Sequence, residues 1–200
     1  KVTLPPAKLL RAASGKMASR DWTSAIRSFQ QVISASVTPE DRQQYPLAAW
    51  MDIGECYYRA GKYFEAFFTY DHIEKSYQGD EKAGEAAYYR YRSATARHDQ
   101  SKDPRDETLK KKARSDFATK YKDHPRAKDL QYYEGADYIA DADSKTGGTE
   151  AEKNKAIELY QLATSRLSAT PKSSILYTKA QARLGEILYK RKLFQKGLTK

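Results

Sequence analysis

The chain has 200 residues, of which 40% are hydrophobic, 31% charged and 12% aromatic, and its formal net charge is +10. This length supports one domain with its own core or a short array of stacked repeats, and the aromatic content is too high for a disordered chain. No stretch approaches the roughly 20 consecutive apolar residues of a membrane span, and the single cysteine, Cys56, excludes an intrachain disulfide and a multi-thiolate metal site.

The positive charge is concentrated in the second half of the chain. Residues 1–100 contain 14 Lys and Arg against 12 Asp and Glu, whereas residues 101–200 contain 22 against 14. A basic surface attracts acidic partners, which include proteins, nucleic acids and anionic membrane surfaces. An ordinary solvated surface has the same composition, so both interpretations stay open.

The ends of the chain lead us to expect a fragment of a longer protein. The sequence starts at Lys1 without an initiator Met, and it stops at Lys200 inside a predicted helix. A targeting segment that had been removed before Lys1 would leave no trace. A lone cysteine fits the cytoplasm and the bacterial periplasm or envelope equally, so the compartment stays open.

Helix signals run along the whole chain. Apolar residues recur three and four positions apart, and the seven prolines lie between such segments. No alternating strand pattern of useful length and no Asn-Gly or Asp-Gly hairpin signal occurs. We therefore predict an all-α chain of about five helix pairs, the last one truncated, near residues 7–18 and 22–36, 45–60 and 63–77, 82–97 and 107–122, 127–142 and 152–168, and 174–190 and 193–200.

Three connections between these helices are longer than the others. They cover residues 37–44, 98–106 and 143–151, and they are rich in polar residues, Gly, Pro and Ser. This composition predicts surface loops.

The second helix pair carries the clearest motif. It reads Trp50-x2-Ile53-Gly54-x2-Tyr57 in its first helix, followed by Ala66 and Tyr70 in its second. Small residues such as Gly54 and Ala66 allow two helices to approach closely, and the large rings fill the space around them. We predict that these six residues pack the two helices together.

Later segments repeat parts of this pattern. The pairs of matching positions, which we also predict to pack between helices, are Ala113 and Phe117, Gly135 and Tyr138, Ala156 and Tyr160, and Leu184 and Gly185. Repetition of one helix-pair unit at a spacing of roughly 40 residues is typical of a helical repeat protein.

These motifs resemble the tetratricopeptide repeat (TPR), whose pattern is W-x2-L-G-x2-Y followed by A-x3-F. The likeness extends over nearly the whole chain, with one complete repeat and four degenerate ones. It implies a single domain over residues 1–200, in which helix pairs stack into a right-handed superhelix and the first helices line a concave groove. It also implies a non-catalytic scaffold that binds a protein or a peptide.

A narrower resemblance is found between residues 117 and 135. Phe117-x3-Tyr121, then Pro125 and Tyr132-x2-Gly135, is similar to repeats of bacterial outer-membrane assembly lipoproteins and related envelope TPR proteins. Those repeats place Pro directly after the Tyr, whereas three residues separate the two here, and no lipidated N-terminal Cys is present. The resemblance implies a place in a bacterial envelope assembly.

The resemblance also implies which residues face the groove. Tyr and Arg suit recognition because they combine a large contact area with a polar tip. The tyrosines at this face either bind a partner or pack between repeats. Transferring the TPR register gives Met51, Glu55, Tyr58, Arg59, Tyr89, Arg92, Tyr132, Ala136, Glu186, Tyr189 and Lys190.

The sequence offers little for catalysis or metal binding. None of the three histidines has a metal-ligand spacing or accompanies a known catalytic motif, and Cys56 has the pattern of a small buried residue. Asp141, Asp143 and Glu152 match three positions of a calcium loop, but Lys145 occupies a ligand position. We therefore predict no enzyme activity, no metal and no cofactor.

Two further functions stay open beside the peptide-binding scaffold. The basic run around residues 110–122 predicts phosphate contacts if the chain binds nucleic acid, although lysines outside an apolar stripe are typical of a solvated helix face. A solenoid that only spaces other domains is the third possibility. We expect a protein or peptide partner, an acidic one in particular, and the oligomeric state stays open.

Overall fold

A computed structural model describes residues 4–198, with side chains through residue 192. No strand occurs among these residues, which confirms the all-α prediction. The elements are α1 (Pro6–Ala18), α2 (Trp22–Ala35), α3 (Pro39–Gln44), α4 (Pro46–Arg59), α5 (Tyr63–Ser76), α6 (Glu81–Ser101), α7 (Pro104–Lys120), a 3-10 turn (Pro125–Asp129), α8 (Leu130–Asp143), α9 (Glu150–Ser168) and α10 (Tyr177–Leu198).

The chain forms two compact units, residues 1–122 and residues 123–200. In the first unit, α1 packs on α2, α2 on α4, α4 on α5, α5 on α6 and α6 on α7. In the second unit, α8 packs on α9, and α10 packs on both. Each helix therefore finds its main packing partner close to it in sequence, α3 being a short addition before α4.

Local signals in the sequence account for where these helices start. The Asp21 side chain accepts a hydrogen bond from the Ser24 N–H, which satisfies one of the free donors at the start of α2. At the start of α9, Thr149 and Glu152 form a reciprocal capping box. Proline stands in the first turn of α1, α3, α4 and α7, where its missing N–H costs nothing.

Two of the predicted loops are partly helical. Residues 37–44 contain α3, because Thr38 caps a helix that Pro39 starts. Of residues 98–106, only residues 102 and 103 lie outside a helix, since α6 continues to Ser101 and α7 already begins at Pro104. Lys102 ends α6 in a left-handed conformation, with φ of 55°.

The predicted fifth helix pair does not form. Residues 177–198 are one continuous helix, α10, without the predicted break between residues 190 and 193. Arg191 and Lys192 at that position are good helix formers, and no Gly or Pro interrupts them, so the backbone has no local reason to turn. Residues 199 and 200, at the end of the predicted second helix of this pair, lie outside the described residues.

The buried side chains of the first unit include two clusters. One lies among α1, α2 and α4, and the other lies among α4, α5 and α6. Trp50 and Tyr57 are half-buried and contact both clusters. The other packing residues predicted for this unit are buried: Ile53, Gly54, Ala66, Tyr70, Ala113 and Phe117.

Gly54 marks the closest approach of α4 to α5. A Cβ at this position would lie 2.6 Å from Cζ of the buried Tyr70 ring. Gly135 has the same role in the second unit, where a Cβ would lie 2.6 Å from Cγ of Leu167 on α9. In both places a side chain would have to displace a buried neighbour.

The second unit has a core among α8, α9 and α10. Gly135, Ala156 and Tyr160 are buried there, and Tyr138 and Leu184 are half-buried against it. Gly185 differs from its prediction, because it is exposed and, outside the adjacent residues and backbone of α10, no described atom lies within 4 Å of where its Cβ would be. Its position on α10 faces away from the core, because the face of α10 that packs against the core is the one that carries Ile187.

Candidate functional site

A cavity of about 690 Å³ opens on the first unit. Its walls come from four segments: the turn between α1 and α2 together with the first residue of α2, the last turns of α4, the first residue of α5, and the middle of α6. We call it the α4–α6 pocket. Only the packing of the first unit brings these segments together, since they extend over more than 70 residues of the chain.

Aromatic rings form one part of the pocket wall. They belong to Trp22, Tyr58, Tyr63 and Tyr89, each of which is half-buried. Tyr58 meets Tyr63 edge to face, with ring centroids 5.3 Å apart, and Tyr89 stacks on the buried Tyr70 at 5.4 Å. Such supported rings offer an apolar contact surface that loses little conformational freedom on binding.

Charged side chains form the rest of the wall. The lining contains three arginines and one carboxylate, so the pocket has an excess of two positive charges. The arginines are Arg20, Arg59 and Arg92, and the carboxylate is Glu55. Arg59 Nε donates to Glu55 Oε1 at 2.5 Å, and Arg92 Nη1 donates to the Tyr88 hydroxyl at 3.3 Å. Guanidinium groups held in this way suit the recognition of carboxylates and other planar anions.

A second carboxylate lies close to Glu55 on the same helix. Asp52 is half-buried on α4, one turn before Glu55. Burial raises the pKa of Asp52, and the charge of Glu55 raises it further. The two carboxylates therefore repel each other on one face of the helix.

The structure brings together five of the six groove residues predicted in the first unit. Glu55, Tyr58, Arg59, Tyr89 and Arg92 all line the α4–α6 pocket. The sixth, Met51, packs instead against the cluster around Tyr70.

Sequence reasoning missed three other lining residues, Arg20, Trp22 and Tyr63. Two of them, Trp22 and Tyr63, follow a pattern that repeats in the turn between α1 and α2 and in the turn between α4 and α5. Arg20 and Gly61 both have positive φ, of 62° and 73°, and an aromatic residue follows each of them two positions later, as the first residue of the next helix. The repeated spacing places Trp22 and Tyr63 in equivalent positions.

The groove residues predicted in the second unit take other roles. Lys190 Nζ lies 2.8 Å from both carboxylate oxygens of Asp143 and 2.9 Å from Glu186. Glu186 also pairs with Arg183, so both predicted residues belong to an ion network that joins α8 to α10. Tyr132 packs against the core, Ala136 is half-buried, and Tyr189 is exposed.

Two of the three calcium-loop residues, Asp143 and Glu152, bond to other side chains of the protein. The Tyr160 hydroxyl donates to Asp143 Oδ1 at 2.5 Å, and Glu152 belongs to the capping box of α9. Within the described part of the chain, no three His, Cys, Asp or Glu side chains converge as metal ligands. Cys56 is buried, and burial raises the pKa of its thiol to about 11, which disfavours the nucleophilic thiolate.

The basic run on α7 is partly neutralised by neighbouring carboxylates. Lys110 is buried. Three other lysines of the run form ion pairs within the first unit, Lys111 with Glu107, Lys112 with Asp116, and Lys120 with Glu74.

Comparison of the sequence with models of protein families and with curated proteins finds no match. In the described residues, no helix has both the length and the apolar character needed to cross a membrane.

Proposed function

We propose that the chain is a TPR-like scaffold and that its α4–α6 pocket binds an extended segment of a partner protein. The observation that carries this proposal is the convergence of four aromatic rings and three guanidinium groups from four separate segments on one open cavity. Rings and arginines dominate the binding energy of protein interfaces, whereas the known catalytic and metal-binding patterns are lacking from the residues of this pocket.

Repetition within the first unit supports the TPR-like interpretation. The turn after α1 has hydrogen bonds from Ser19 N to Gly15 O and from Asp21 N to Lys16 O. The turn after α4 has the same two bonds at the same spacing, from Ala60 to Cys56 and from Lys62 to Tyr57. The same turn therefore occurs twice, 41 residues apart, each time between the two helices of a pair. Such a recurrence is typical of a helical repeat.

A protein partner fits the pocket better than a nucleic acid does. Non-specific nucleic-acid binding needs a run of accessible cations that follows a phosphate backbone. The carboxylates of Glu107, Asp116 and Glu74 pair with lysines of the run on α7 and lower its net positive charge, and the pocket itself contains a carboxylate. A mixed lining of rings and both signs of charge is typical of peptide recognition.

An array of capped decapeptides of varied sequence tests this proposal. We expect the protein to bind a subset of the array, and we expect the double variant Tyr89→Ala, Arg92→Ala to lose at least tenfold in affinity for that subset. Phe68→Ala, Arg105→Ala is the matched control, because it removes an exposed ring and an exposed guanidinium of the same unit outside the pocket. The control should stay within about twofold of the wild type.

The single variant Arg20→Ala tests the pocket without disturbing the fold, since Arg20 is exposed, and it is informative even if the double variant does not fold. It should weaken binding while the thermal unfolding curve stays unchanged. Full binding by both pocket variants would contradict the proposal. Capture of a single-stranded oligonucleotide in place of every peptide would favour the nucleic-acid alternative.

A further inference from the structure

One arginine of the α4–α6 pocket is paired with a carboxylate of the same pocket. Glu55 and Arg59 lie one helical turn apart on α4, and Arg59 Nε donates to Glu55 Oε1 at 2.5 Å. The Glu55 side chain is 27% exposed, whereas the Arg59 side chain is 59% exposed. The arginine therefore stays accessible from solvent while one of its five N–H donors is occupied from inside the protein.

We propose that Glu55 is an internal competitor, which holds Arg59 in the empty pocket and gives it up to an acidic side chain of the bound peptide. This inference depends on the proposed function, because it names the chemistry of the peptide that the pocket accepts. The peptide carries an Asp or Glu next to an apolar or aromatic residue.

Charge complementarity favours an acidic occupant. The pocket has three guanidinium groups and one carboxylate, so a single acidic side chain from a partner still leaves the lining with an excess positive charge. A carboxylate can bind guanidinium groups through two parallel hydrogen bonds, which a neutral side chain cannot do. The rings of Tyr58 and Tyr89 lie in the same pocket and supply the surface for the neighbouring apolar residue.

The position of Glu55 makes it easy to displace. It has one favourable partner of opposite charge on α4, Arg59, and it lies one turn after Asp52, a half-buried carboxylate of like charge. Exposed ion pairs at this helical spacing contribute little to stability. A ligand carboxylate can therefore replace Glu55 at small cost, whereas a neutral peptide leaves the internal pair in place.

This arrangement gives Glu55 a role in specificity. While its charge is present, it repels an incoming carboxylate and competes with it for Arg59. Removing the charge should therefore strengthen the binding of acidic peptides selectively. A residue that merely supported the fold of α4 would affect acidic and neutral peptides alike.

The test is an array of capped decapeptides made in pairs, identical except for Glu or Gln at the central position. We expect Glu55→Gln to bind the Glu members about threefold to tenfold more tightly than the wild type does, with the Gln members within about twofold. Arg59→Gln should lose the preference for Glu members. Glu65→Gln is the matched control, because Glu65 is an exposed carboxylate of the same unit outside the pocket.

The outcomes separate the inference from the proposed function. Weaker binding of Glu members by Glu55→Gln, or an equal gain for both members of each pair, would overturn the inference and leave the peptide-binding proposal standing. If neither the wild type nor any variant binds a member of the array, both are wrong. A shift of the Arg59 Nε–H NMR signal by Glu members and not by Gln members is the direct signature of the exchange.

Discussion

Tyr70 links the core of the first unit to its pocket. The ring is buried against Gly54 on one side and stacks on Tyr89, a pocket residue, with ring centroids 5.4 Å apart. Burial raises the pKa of its hydroxyl, and the charge of Glu55 adds to this effect, so the side chain is neutral at physiological pH. Because Tyr70 stacks on Tyr89, a displacement of the Tyr70 ring would also displace a side chain of the pocket wall.

Replacing Gly54 with Ala should destabilise the protein by about 1–3 kcal/mol, because the new Cβ would lie 2.6 Å from the Tyr70 ring. Alanine is the better helix former by about 1 kcal/mol, so the sign of the change shows that packing dominates. Gly15→Ala in α1 is the control, since nothing lies within 4 Å of that position, and it should stabilise by about 0.5–1 kcal/mol. Urea unfolding of both variants measures the two changes, and equal shifts in the same direction would contradict the prediction.

At the scale of elements, a buried arginine ties three helices of the first unit together. Arg90 on α6 is 6% exposed, and its guanidinium lies 2.8 Å from Asp71 and 3.2 Å from Glu74, both on α5. Its second amino group lies 3.2 Å from Asp116 on α7. Burial raises the pKa of Asp71, but hydrogen bonds from Lys75 and Arg90 outweigh it and lower that pKa overall.

Arg90→Met should destabilise the protein by about 3–5 kcal/mol, because it leaves the buried Glu74 and the half-buried Asp71 and Asp116 without their main counter-charge. Lys75→Ala removes an exposed partner of the same Asp71 and should cost less than about 1 kcal/mol. Thermal unfolding of the two variants beside the wild type provides the comparison. Near-equal losses for the two variants would mean that the buried network contributes no more than a surface pair.

The apolar stripes alone do not specify which helix faces meet in this network. The pairing of Arg90 with both Asp71 and Asp116 is satisfied only when α5 and α7 contact the same face of α6. A shift of one helix by a turn would leave a buried charge unpaired, which costs more than the displaced apolar contacts. We therefore infer that the network selects the packing register rather than supplying most of the stability.

At the scale of the whole molecule, the two units differ in what they present to a partner. Every lining residue of the α4–α6 pocket belongs to residues 1–122. In residues 123–200, the corresponding predicted positions Glu186 and Lys190 are engaged in the ion network around Asp143. The proposed binding activity therefore belongs to the first unit.

A fragment of residues 1–122 should fold cooperatively and bind the same members of the peptide array within about twofold of the full chain. The reason is that the pocket and the clusters that support it are complete within this unit. Circular dichroism and the array measure folding and binding separately. A folded fragment that has lost binding would place essential contacts outside the first unit.

How far the sequence predicts the structure differs between local and distant features. Proline positions and the spacing of apolar residues predict α1, α2, α4 and α5 to within about two residues, because these signals act along a single helix. The prediction of a break after residue 190 is wrong, since it extends the repeat pattern where no local signal supports a turn. Five of the pocket-lining residues are groove positions implied by the TPR resemblance, but Arg20 is not among them, because its position depends on a turn in another helix pair.

Local sequence signals predict the all-α class, most helix boundaries and the inward faces of the helices, since periodicity and capping are short-range properties of the chain. Which charged residues come together at the surface depends on the tertiary structure. Arg20, Arg59 and Arg92 converge on an open pocket, whereas Lys190 and Lys120 are engaged by carboxylates on other helices. The physical reason is that ion pairing depends on distances of a few ångströms between helices far apart in sequence, and packing of the cores sets those distances.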